Sequence, residues 1–261
     1  GFYNSIYSLI SSLLVFFVPI YFLILKTIKS NEIKILLILI SSSLLIGQTS
    51  NSAIAFFKEG LLIISFGFIV FGRYNLLNLI ISNTFYWLAF FTRVDAIIFF
   101  PILIIYSSIC FFKEKILFKK ILSLFLTILI PIAIFIYFSE HFEFNFLQFW
   151  QHNFEFNNWY REIIVEKNII MKIFYRPYFL LFGSQTLIIP FILYYFLSKD
   201  FKLDSILKSI KLKVFNYELY ILTISFLSYF LINTFVDYYV LIFLCPGLLF
   251  LIKKFSYSKS F

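Results

Sequence analysis

Apolar positions in this chain come in long blocks, not in alternation. Nine blocks stand out, at roughly 5–25, 33–47, 53–72, 75–91, 96–112, 121–138, 178–197, 217–235 and 237–252. A bilayer-spanning helix needs about 20 mostly apolar residues. The blocks therefore predict an all-α, polytopic helical bundle of about nine transmembrane helices, forming a single transmembrane domain over 1–261. The second block is short and rich in serine, so a tilted, broken or re-entrant segment is expected there. No internal repeat and no Gly/Ser linker divides the chain.

Two polar stretches interrupt the blocks. The first, 139–177, mixes aromatics with polar groups: His141, Trp150, His152, Trp159, Tyr160, Arg161, Tyr175 and Arg176. Within it Ile163, Ile164, Ile170 and Phe174 recur at helical spacing beside charges, which predicts short interfacial helices. A loop of this length in a compact protein is usually functional or disordered, and its aromatics argue against disorder. The second, 201–216, sets Leu203, Ile206, Leu207, Ile210 and Val214 beside Lys202, Lys208, Lys211 and Lys213. It reads as a basic interfacial helix on anionic lipid, with partner docking as the alternative.

Composition agrees with the pattern. The 261 residues are 62% hydrophobic and 13% charged, with a mean hydropathy of +0.95. A soluble domain has about 25% charged residues. A net charge of +9 would suggest nucleic acid in a soluble protein, but here the lysines are better read as topology signals. Labelled alternately, one set of connections holds Lys26, Lys29, Lys34, Arg73, Lys113, Lys115, Lys119, Lys120, five lysines between 199 and 213, Lys253, Lys254 and Lys259. That is 16 of the 22 basic residues; the other set holds six, with eight of the 13 acids. The positive-inside rule puts the first set in the cytoplasm. The start of the chain is then outside and the C-terminus cytoplasmic, in a cell inner (plasma) membrane. The two cysteines, Cys110 and Cys245, lie in apolar blocks without metal-knuckle spacing and are expected to be buried small hydrophobes. Gly1-Phe2-Tyr3 offers no basic leader region, and the chain is expected to be an N-terminally truncated fragment.

Candidate chemistry centres on Thr92-Arg93-Val94-Asp95, an Arg/Asp pair set between two apolar blocks with almost no loop. A charge at the centre of a bilayer helix costs roughly 2.5–3.5 kcal/mol on insertion scales, so the pair belongs at a membrane surface or beside a wet cavity. Two readings stay open. Arg93 and Asp95 form a helix-end ion pair, as Lys58 and Glu59 could also do, with Asp95 favoured in a first helical turn. Alternatively, Arg93 binds an anionic group such as a lipid phosphate, which its planar fork suits. His141 and His152 lack tight metal-ligand spacing and read as surface polar residues, or as ligands if Glu143 or Glu155 converged on them. Phosphate loops and nucleophile elbows are missing.

The string LAFFTRVDAIIFFPILI, at 88–104, resembles the Thr-Arg-Pro-Asp stretch of polytopic GT-C glycosyltransferases. Gln48-Thr49-Ser50-Asn51-Ser52-Ala53 is similar to their Thr-Ser-Gly-Leu-Glu stretch, and Asp237-Tyr238-Tyr239 with Pro246 to their late Arg-Tyr stretch. The likeness covers roughly 48–105 and 230–250. Val94 replaces the usual proline, Ser52 or a neighbour stands where an acid is common, and Asp237 where arginine is commoner. The resemblance implies transfer of a sugar from a polyprenyl-phosphate donor to a glycan, lipid or protein acceptor at the outer face. It implies substrate-binding roles for Arg93, Asp95, His152, Glu155, Arg161, Arg176 and Asp237. Here Arg93, with Arg161 or Arg176, would hold the donor phosphate, and Asp95 would orient Arg93. The family's catalytic acid lies in a first outer loop, so the base is expected upstream of Gly1. No metal ligand is assigned, and a divalent metal ion stays open as a cofactor. The partners expected are this lipid-linked sugar, its acceptor and the bilayer, with no nucleic acid. An O-antigen or capsule polysaccharide polymerase is the alternative, although basic residues in 139–177 are few. A transporter is a third class, which repeats and mid-membrane charges would favour.

Overall fold

The computed structural model describes residues 6–43, 53–142, 145, 147–149, 151, 217, 220, 221, 223–225, 227 and 240–256. Among them every regular element is helical. The helices are α1 (Ile6–Thr27), α2 (Asn31–Ser43), α3 (Ala53–Phe71), α4 (Leu76–Thr92), a 3-10 segment (Val94–Phe99), α5 (Phe100–Lys113), α6 (Leu117–Phe142) and α7 (Val240–Ser256). Seven of the nine expected blocks are thus helices. The block at 178–197, the stretch 201–216 and nearly all of 152–177 lie outside the described residues, and only scattered helical positions from 217 to 227 are described in the eighth block. Among the described residues three helical stretches are long and apolar enough to cross a membrane: Ile10–Thr27, Val94–Lys113 and Leu117–His141.

The bundle is organised on α3, which packs against α1, α4 and α7, while α6 lies across α4 and α5. Inter-helix contacts fix the directions. Gly60 meets Val15 and Gly67 meets Leu23, so α1 and α3 run parallel. Ser65 donates to the Ser82 carbonyl at 2.8 Å, between antiparallel α3 and α4. Ser107 and Thr127 hydroxyls pair at 2.7 Å between α5 and α6. Tyr21 and Ser42 pair at 2.8 Å between α1 and α2. These small polar stitches are a usual way for apolar helices to associate in lipid, where burial of apolar surface gives little drive.

The α1–α3 contact has a specific cause. Pro19 lies inside α1 and has no N–H, so the carbonyl of Val15, four residues earlier, loses its normal helical donor. That carbonyl faces Gly60: a Cβ added there would sit 2.6 Å from Val15 O and 2.8 Å from Phe16 N. Only glycine lets the two backbones come this close.

Two boundaries differ from the sequence expectation. The fifth helix, expected from residue 96, begins as α-helix at Phe100 and is preceded by six residues of 3-10 helix. Pro101 explains this. It cannot donate to the Ile97 carbonyl, and the Phe100 N–H, one residue nearer, takes that carbonyl instead. The sixth helix, expected over 121–138, runs from Leu117 to Phe142. Its 26 residues span about 39 Å, and its extra turns carry the polar and basic residues that blurred its ends in the sequence. Proline is tolerated inside it at Pro131, as it often is in membrane helices.

The two ends of the bundle differ in charge. The α1–α2 turn with Lys26, Lys29 and Lys34, the α3–α4 turn with Arg73, and the α5–α6 turn with Lys113, Lys115, Lys119 and Lys120 share one end. Tyr106 of α5 donates to the Arg73 carbonyl at 3.1 Å. Lys113 sits 3.6 Å over the Tyr74 ring, and Lys253 of α7 donates to the Val70 carbonyl at 2.8 Å. The opposite end carries Lys58, Glu59, Arg93 and Asp95.

Candidate functional site: a buried row of alternating charges

Lys58 and Glu59 lie in the second turn of α3, and Arg93 and Asp95 lie where α4 gives way to the 3-10 segment. The sequence suggested two separate pairs at helix ends. The structure joins them into one row. Lys58 Nζ lies 2.6 Å from Glu59 Oε1 and 3.0 Å from Asp95 Oδ2, and Arg93 reaches the same Asp95 oxygen at 3.3 Å. The order Glu59, Lys58, Asp95, Arg93 alternates in sign and sums to zero. The inner half is closed: Lys58 is 2% and Glu59 1% exposed. The outer half is open, with the Arg93 and Asp95 side chains about one fifth exposed.

The bonds within the row are unequal. Lys58 makes a directed hydrogen bond to Asp95. Its approach to Glu59 is shorter but poorly angled, so Glu59 Oε1 accepts no directed hydrogen bond. This follows from their being neighbours on one helix turn, where the lysine stem must fold back to meet the carboxylate. Attraction between opposite charges grows as the local dielectric falls, and a buried charge without a partner is costly. The alternating order gives each inner charge an opposite neighbour.

Local structure holds the open half in place. Arg93 is the single extended residue between two helices, with φ −152° and ψ 127°. Its N–H caps α4 by donating to the Ala89 carbonyl at 2.9 Å. The 3-10 segment is fixed to α4 by Tyr86, whose hydroxyl donates to the Ala96 carbonyl at 3.0 Å. It is fixed to α3 by an edge-on contact of Phe99 with Phe66 at 5.1 Å. Beside Arg93, the Phe90 ring meets Phe149 at 6.4 Å and the Phe91 ring meets Phe138 at 5.9 Å. The far end of α6 and Phe149 therefore pack on the last turn of α4, which leads into Arg93.

Of the residues singled out from sequence, Arg93 and Asp95 are brought together. His152, Glu155, Arg161, Arg176 and Asp237 lie outside the described residues. His141 is exposed at the end of α6, stacked on Tyr137 at 4.4 Å with its Nδ1 3.0 Å from the Tyr137 carbonyl. Among the described residues no group of three or more His, Cys, Asp or Glu side chains is arranged to hold a metal ion. Cys110 and Cys245 are buried free thiols. Lys58 and Glu59 were underrated by the sequence: a Lys-Glu step five residues into an apolar helix was the available signal. No family model, no curated relative and no solved structure matches this chain.

Proposed function

We propose that the chain is the nine-span body of a GT-C-like membrane glycosyltransferase. It moves a sugar from a polyprenyl-phosphate donor to a glycan, lipid or protein acceptor at the outer face of the plasma membrane. The basic turns face the cytoplasm, and the row of alternating charges faces outward. One observation carries this reading: Arg93, from the stretch that resembles the family, projects onto Asp95 at the open end of a buried charged row. A planar, partly exposed guanidinium braced by a carboxylate is suited to a lipid phosphate. His152, Glu155, Arg161, Arg176 and Asp237 complete the donor and sugar site in this reading, with the aromatics of 139–177 against the sugar. Transport is less well supported. Lys58 is the sixth residue of α3, about 8 Å along a helix of about 28 Å, so the charges sit toward one face and not at mid-membrane.

The test uses the whole protein in membrane vesicles, supplied with radiolabelled polyprenyl-phosphate sugars. Arg93→Ala is expected to abolish sugar transfer and polyprenyl-phosphate binding while leaving the amount of folded protein unchanged. Arg93→Lys keeps the charge without the fork and is expected to bind weakly. Undiminished transfer by Arg93→Ala overturns the proposal.

A further inference from the structure

We infer that Lys58 and Glu59, which lie behind Arg93 and away from its exposed side, set how strongly Arg93 attracts an anionic ligand. This rests on the reading of Arg93 as the phosphate-binding residue. The argument starts from the shared oxygen. Asp95 Oδ2 is held by Lys58 at 3.0 Å and by Arg93 at 3.3 Å. Asp95 offsets part of the Arg93 charge that a phosphate would meet. Lys58 engages the same carboxylate oxygen from the buried side and draws part of its charge away from Arg93. Glu59 moderates that effect from 2.6 Å behind Lys58. Both residues are closed off, at 2% and 1% exposure. They act through Asp95 and Arg93, as positioning and charge-setting residues.

Charge counting gives the two residues opposite signs. Glu59→Gln takes the row from zero to +1 and keeps a similar shape. Lys58→Met takes it to −1. The double variant K58M/E59Q returns it to zero. A merely structural role predicts something different: each single change would weaken binding, in step with lost folding.

The probe is a short-chain polyprenyl phosphate, added to the full-length protein in detergent and read by native mass spectrometry on the folded, monodisperse fraction. E59Q is expected to bind about tenfold more tightly than the parent at low salt and K58M about tenfold more weakly, an effect sized for one unit charge several ångströms away. K58M/E59Q is expected to return to within about threefold of the parent. Weaker binding by E59Q, or no difference between the single variants, overturns this inference. The Arg93→Ala control separates the two proposals. If it binds the probe as well as the parent, the phosphate reading of Arg93 fails. If it loses binding while E59Q fails to gain, only the charge-setting role falls.

Discussion

Helices α3 and α6 are both mostly apolar, yet they are used in opposite ways. α3 is enclosed: Leu61, Leu62, Ile63, Phe66, Ile69 and Val70 are buried, and so are Lys58, Glu59 and Ser65. α6 carries charges only near its two ends, but Leu117, Phe118, Leu124, Phe125, Ile128, Leu129, Ile132 and Ile136 are exposed. Across 117–141 the buried residue of α6 is Ser123. In water this arrangement would be inverted. In lipid, apolar side chains gain little by turning inward, and the bundle instead gathers its polar and small residues. Hydrophobicity therefore marks where these helices lie without saying which face is internal.

The contrast can be broken in stages. Removing the lysine from the charged row should cost most: Lys58→Met leaves Glu59 without its cation and is expected to destabilise by about 3–5 kcal/mol. Unfolding in mixed detergent–SDS micelles would measure it, and a loss under about 1 kcal/mol would show that water reaches the row. On α6, Ile128→Lys is expected to cost about 2.5–3.5 kcal/mol in a membrane-insertion assay, whereas Ile128→Leu should stay within about 0.5 kcal/mol. An Ile128→Lys chain that inserts as well as the parent would mean that this face does not meet lipid. Gly60→Ala comes next, at about 1–3 kcal/mol, because its methyl group would push α3 away from the Val15 carbonyl. Gly247→Ala in α7, with nothing within 4 Å of the added methyl, has no such neighbour to displace. The smallest effect is Ser65→Ala, about 0.6 kcal/mol, the average for one hydrogen bond between membrane helices. Should Ser65→Ala match Lys58→Met, the ranking of α3 contacts by charge is wrong.

How far the sequence reached depends on whether a feature is local. The blocks at 5–25, 53–72 and 75–91 fall within a few residues of α1, α3 and α4, because helix length and apolar content are both read along the chain. The cap of α4 was not singled out: the Asn75 side chain accepts from the Asn78 N–H at 2.9 Å. The 3-10 segment was hidden because Val94-Asp95-Ala96-Ile97-Ile98-Phe99 has ordinary helical composition; the cause, Pro101, lies beyond it. The charged row was half visible. Arg93 and Asp95 are two residues apart, but Lys58 and Asp95 are separated by 37, and no periodicity links them. The pairing of Gly60 with Val15 needed knowledge of which helix lies against which, as did the burial of Ser123.

The lysine at position 253 reaches the carbonyl of Val70 across 183 residues of sequence. That carbonyl belongs to the last turn of α3, whose final carbonyls have no partner within their own helix. During synthesis α3 is made before α7, and this end of it has to wait for α7 before the acceptor is met. Lys253 thus acts as a latch on a helix made well before it. A Lys253→Ala chain would insert all its helices and still close late.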